Sequence, residues 1–414
     1  MFKSDHHVYR QALRLITVLT LLILAGCATD DPQSDDIPEQ VAGLENLTQY
    51  PANSEPASEI HFEQQAIYGD SADNILGQRI AGVTVDREGR VFIADGDRMT
   101  IHIYSADGDW IESIGRRGDG PGEFQSIIDI DVDLSEERLY VLHNRHRLSI
   151  YDLGTLGHLR DLNLSLEEQD RHPYWLAWTR DWNLLYEPSH LFVRDDGNLL
   201  ILFSDSGIGF EDNLDVRTYE MSLYDPSEGR YREHDLLTFD WSGQVLIHDG
   251  ADGSRMIMMN VPYKRSHQFD YGAGMWVLGW TEDLALTIYD GEGEYQRAIY
   301  YPLSKVPFRL ADVQGYDSEQ AQQALRQDPE LPDSWPAFQD VRVADDGSIW
   351  ISLFHEQPDL RSWMMLASDG TLIARFTWPS NRELMLVRDG HVYLREWEES
   401  TGIQQVTSYQ YSLQ

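Results

Sequence analysis

The sequence predicts an all-β fold: a six-bladed β-propeller of four-stranded antiparallel blades, closed by an N-terminal strand that completes the last blade. Two observations carry this expectation. A continuous apolar segment followed by an alternating one recurs six times, as in Val91-Phe92-Ile93-Ala94 with Ile101-His102-Ile103-Tyr104, or Leu199-Leu200-Ile201-Leu202 with Met221-Ser222-Leu223-Tyr224. Self-similarity on this scale marks a repeat architecture. Turns such as Asp86-Arg87-Glu88-Gly89, Asp195-Asp196-Gly197 and Asp345-Asp346-Gly347 precede the first segment of a pair, and Asp290-Gly291-Glu292-Gly293 follows a second one. Glycine supplies positive φ and aspartate caps the turn, so these clusters separate strands.

The chain has 414 residues. Residues 1–26 read as a signal peptide: Lys3, Arg10 and Arg14 precede the mostly apolar run from Leu15 to Ala25. That run is short for a membrane span, which takes about 20 apolar residues. Leu24-Ala25-Gly26-Cys27 resembles the lipobox of bacterial lipoproteins. The resemblance implies cleavage before Cys27 and lipidation of its sulfur; Ala28 after the cysteine, rather than Asp, resembles outer-membrane sorting and implies a lipid anchor in the outer membrane, facing the periplasm or the cell surface. Cys27 is the single cysteine, so no intrachain disulfide forms. Residues 27–57 read as an acidic disordered tether, with four prolines (Pro32, Pro38, Pro51, Pro56) and no Lys or Arg.

The propeller is expected over 58–414, with blades at about 80–115, 126–164, 188–239, 266–301, 338–378 and 382–414. The last blade shows three strands, and Ile60 to Tyr68 is expected to supply its outer one. Three stretches interrupt the repeat: 165–187, 240–265 with Met256 to Met259 as an extra hairpin, and 302–337 with a helix-compatible run from Ser318 to Gln327. Insertions in repeat folds emerge as loops on one face. The segment Gly115-Arg116-Arg117-Gly118-Asp119-Gly120-Pro121-Gly122-Glu123-Phe124 resembles the connector of NHL-repeat propellers. Over about residues 58–414 the chain is similar to bacterial six-bladed β-propeller lipoproteins.

No HExxH, GxSxG or phosphate-cradling glycine loop occurs. His143 and His146 lie three apart without a second close pair. At the starts of the innermost strands stand Asp129, His190, His267, Asp270, Asp340 and Glu383. These groups either solvate the channel and pair with Arg79, Arg342 and Arg382, or hold a hard cation such as calcium. Trp175, Trp178 and Trp182, with Arg171 and Arg180, are suited to gripping a peptide or stacking on a sugar, and equally to packing as an amphipathic turn over a blade.

The expected function is therefore a non-catalytic binding or scaffold module for a protein, peptide or glycan. The alternative is a metal-dependent propeller enzyme; resemblance to calcium lactonases would place two ligands at Asp129 and Asp340. A third reading, a zinc lyase, needs a converging histidine cluster. Acidic residues number 70 against 32 basic ones, a formal net charge of −38, and the only lysines are Lys3, Lys264 and Lys305. This field repels phosphate backbones and argues against nucleic-acid binding. It also resembles a halophile surface, where salt screens self-repulsion. Accordingly, the midpoint of thermal unfolding should rise between low and molar salt; a midpoint independent of salt would contradict the halophile reading.

Overall fold

The computed structural model describes residues 37–69, 75–164, 186–205, 217–241, 244–249, 255–313, 316, 319–398 and 401–414. Residues 1–42 form a unit of their own, in which the one-turn helix Glu39–Ala42 is described. Residues 43–414 form the second unit, to which everything below refers.

Six antiparallel sheets follow one another along this unit, each built from four strands in radial order. Their innermost strands are Ile80–Val85, Ile127–Asp133, Tyr186–Val193, His267–Gly272, Asp340–Val343 and Arg382–Arg388. The second strand of each blade is the continuous apolar run seen in the sequence. Val91, Phe92, Ile93 and Ala94 are all fully buried, as are Leu199 to Leu202 and Ile349 to Ile351. Blades stack face to face, so a middle strand has a neighbouring blade on both sides and needs no polar face. Towards the rim this constraint relaxes, and Trp110–Ile114 exposes four of its five residues.

Ile60–Tyr68 pairs antiparallel with Gln404–Leu413, from Ile60 opposite Leu413 to Tyr68 opposite Val406. The start of the second unit thus forms the outer strand of the last blade, as the strand count required, and covers an edge that would otherwise be open. Tyr68 extends this closure to blade one. Its hydroxyl lies 3.1 Å from Ser408 Oγ and donates to the carbonyl of Ala106 at 3.1 Å.

The expectation of disorder over 27–57 is corrected at its C-terminal end. Leu47–Gln49 adds a fifth, parallel strand to Tyr295–Tyr301, the outer strand of blade four. Tyr50 then stacks on Tyr301 with ring centroids 4.9 Å apart, and its hydroxyl donates to the Asp369 carbonyl. The amides of Ala57 and Ser58 donate to Leu372 and Ile373 of blade five. Main-chain hydrogen bonds to a sheet edge make little demand on sequence, so a short segment in acidic, proline-rich surroundings suffices.

The connector Gly115 to Phe124 is a self-capped loop. Glu123 takes the amides of Asp119 and Gly120 on one carboxylate oxygen and the Arg116 guanidinium on the other. Phe124 is fully buried. Gly115 has φ +79°, and a Cβ there would sit 2.1 Å from the Phe124 ring, so the position requires glycine.

Both described insertions are structured. Gln244–Asp249 pairs with Arg255–Asn260 as the separate hairpin expected around Met256 to Met259. The helix Glu319–Gln327 forms within 302–337. Val261, Tyr263, Val313, Leu325, Trp335 and Phe354 give this part a small core of its own.

Because closure rests on one strand, deleting residues 58–70 should leave an insoluble chain or one without a cooperative transition. Tyr68→Phe, which removes the hydroxyl alone, should cost about 1–2 kcal/mol in denaturant unfolding; a soluble, cooperative deletion with an unaffected Tyr68→Phe would contradict this account of closure.

Candidate functional site

Around the channel, polar side chains tie neighbouring innermost strands together. Innermost strands are sheet edges, and their inward N–H groups have no strand to bond. In blade two, Asp129 accepts the amide of Leu191 at 2.9 Å, and Asp131 that of Val193 at 2.9 Å, both on blade three. Asp270 on blade four accepts the amide of Val343 on blade five at 2.7 Å. Arg79 donates from blade one to the Ile127 carbonyl of blade two, and Arg388 from blade six to the Val85 carbonyl of blade one, each at 3.0 Å.

Burial raises the Asp129 pKa to about 8 and that of Asp270 to about 6, against the favourable effect of the amides. Asp131 and Asp340 are raised as well, again chiefly by burial. Arg342 partly offsets this crowding: its Nη1 lies 2.7 Å from Asp340 Oδ1, and its charge also acts on Asp270. Burial pushes His190 down to about 4. Its ring meets Phe269 edge-on at 5.1 Å, and Nδ1 lies 3.1 Å from Ser189 Oγ. His267 is likewise lowered by burial; Nδ1 bonds the Asp240 carbonyl and the ring lies against Trp280.

At the mouth, blades four, five and six open into a cavity of about 670 Å³, roofed by the insertions. Ser266 and Gln268, Gln339 to Arg342, and Arg382 to Leu384 contribute from the blades; Lys264, Tyr316 and Trp335 contribute from above. The roof is pinned. Tyr263 donates to Asp328 at 2.7 Å, and Arg265 bridges Glu282 at 2.6 Å and the Ser334 carbonyl at 3.0 Å.

Of the residues singled out in the sequence, Asp340 and Glu383 line this cavity, whereas Asp129, His190 and His267 do not. Trp175, Trp178, Trp182 and Arg180 lie outside the described residues. Strand alternation explains His267: Ser266 and Gln268 face the cavity, so the residue between them turns towards Phe239 and Trp280. Sequence reasoning missed Trp335, Phe354, Arg361 and Trp363. The available signal was the Leu360-Arg361-Ser362-Trp363 extension ahead of the blade-five repeat strand.

The donor set does not fit a calcium ion. Both oxygens of Asp129 accept amides, from Ile130 and Leu191, and one oxygen of Asp340 takes the Arg342 guanidinium and the Val341 amide. Among the described residues no group of three or more His, Cys, Asp or Glu side chains is arranged to hold a metal. His143 and His146 are not a pair of ligands either: His143 is buried with Nε2 at 2.7 Å from Ser149 Oγ.

Residues 60–207 match the family described as DUF5128, a six-bladed β-propeller. No curated protein sequence matches the chain. Among solved structures, a member of the DUF4221 family from Bacteroides vulgatus aligns with a TM-score of 0.50 at 10% identity, covering 86% of this chain and 100% of that one. A Bacteroides fragilis protein taken to be exported gives 0.49 at 12% identity, covering 89% and 99% of the two chains. At such identities the likeness concerns the fold alone.

Asp129 gives the channel a measurable pH signature. Its folded pKa of about 8 lies above the unfolded value near 4, so the folded state holds its proton more tightly across that window. The stability it contributes is full below pH ~4 and is lost as pH rises through ~8. Asp129→Asn should flatten the fall in unfolding free energy over that range, leaving the parts due to Asp270, Asp131 and Asp340. An unchanged slope would contradict the assignment.

Proposed function

We propose that this chain is a non-catalytic binding module of the cell envelope, exported and held there by a lipid on Cys27, which recognises a protein, peptide or glycan at the propeller mouth. The cavity carries the reading. Three blades and a pinned roof border a half-open cavity of about 670 Å³, a volume in the range of small-ligand sites, and its wall mixes Trp335, Trp363, Trp397 and Phe354 with charged groups. Ser266, Ser352 and Ser380 line it, and among the described residues none of them is bonded to a histidine. The serines that are, Ser113, Ser149, Ser189 and Ser222, do not line it. Support for export and anchoring comes from the charged, apolar and Leu24-Ala25-Gly26-Cys27 segments of the leader.

Tryptophans in the wall provide the readout. The emission of the purified chain should shift saturably with at least one member of a panel of soluble envelope glycans and peptides. Trp335→Ala should weaken that response roughly tenfold or more, as loss of an aromatic anchor does, and the ligand should be recovered unaltered. A panel without a saturable response, or a ligand recovered chemically changed, would contradict a non-catalytic module.

A further inference from the structure

Among the described residues, the charges of the cavity wall are matched except at one. Lys264 pairs with Asp328 at 3.3 Å and Glu330 at 2.7 Å, Arg342 with Asp340 at 2.7 Å, and Arg382 with Glu396 at 2.9 Å. The remaining carboxylates in the wall are also answered, Asp312 by Arg309 at 3.1 Å and Glu383 by Arg395 at 3.0 Å. Arg361 has no carboxylate partner among the described residues. Its hydrogen bond to the adjacent Leu360 carbonyl is long, at 3.4 Å, and its guanidinium carbon lies 5.6 Å from the centre of the Phe354 ring. Burial lowers its pKa, the direction expected of a cation withdrawn from water without compensation. Such a group is costly to keep. In a chain with 70 acidic residues it would have been simple to place one beside it.

His355 in the same wall adds a donor: its Nδ1 accepts the Gln357 amide at 3.0 Å, which leaves the proton of the neutral ring on Nε2. The wall therefore calls for a negative charge and an acceptor in one ligand. Trp397, half-buried in the same wall, adds aromatic surface.

Building on the binding-module reading, we propose that this cavity takes an acidic sugar residue, its carboxylate held by Arg361 and a hydroxyl oxygen taken by the Nε2–H of His355. A carboxylate on a guanidinium that is already partly desolvated forms a charge-assisted pair without the full cost of stripping the cation of water.

Calorimetric titration of the purified chain tests this. The probes are trisaccharides of galacturonate, glucuronate and mannuronate, their carboxyl-reduced counterparts, a sulfated trisaccharide, and a peptide with a free α-carboxylate. At least one uronate should bind roughly tenfold or more tightly than its reduced form, the scale of one charge-assisted contact. Arg361→Gln should erase that preference, and His355→Phe, which keeps an aromatic ring and removes the donor, should weaken the uronate while preserving the preference. Should Arg361→Gln fail to fold, the wild-type comparison and His355→Phe still decide. Equal binding of acid and reduced forms, or a preference surviving in Arg361→Gln, would overturn the acidic-sugar assignment and leave the binding module standing. Tighter binding of the sulfated probe or the peptide would overturn it too. Failure of all these probes overturns this inference; only failure of the wider panel as well overturns the module.

Discussion

The pairing of Ile60–Tyr68 with Gln404–Leu413 is the constraint on which the rest of this structure depends. Each blade buries its middle strands only because another blade lies on either side, so the apolar surface of the whole ring is covered or exposed together. The last blade is made from both ends of the second unit, and neither end completes it alone. Leu47–Gln49 and Tyr50 extend the same principle outwards, covering the edge of blade four and reaching blade five on the way to the closing strand.

Within the channel the limiting resource is hydrogen-bonding capacity. An innermost strand presents amides that no sheet partner can take, and aspartates of the preceding blade take them at Leu191, Val193 and Val343. This accounts for carboxylates in a place where burial disfavours their charge. Arg342 supplies the positive charge that crowding demands, beside Asp340 and within influence of Asp270. Channel acids that suggested ligands for a metal are, in this arrangement, the mortar between blades. The cavity lies instead where the insertions cover blades four to six.

Much of the fold was legible because its causes are local or periodic. Middle strands must be apolar throughout, turns must contain Gly or Asp, and a missing fourth strand must come from somewhere. The site was legible only in part. Asp340 and Glu383 sit at strand starts and could be placed by counting; His267 could not, since one step of alternation sends it to the opposite face. Arg361 and Trp363 lie on a third strand, away from the channel in sequence order, and reach the cavity only because an insertion folds over them. That juxtaposition has no sequence period. The strand Leu47–Gln49 escaped notice for a related reason, since main-chain pairing to an edge leaves little trace in side-chain pattern.

Hydrogen exchange of the intact chain tests the central claim most directly. If the closing strand holds the ring together, amides of 60–68 and 406–413 should exchange in the same slowest class as the middle strands of the other blades, through global unfolding. Release of 60–68 in a separate, faster event, with the other blades still protected, would show that the ring stands without its closing strand.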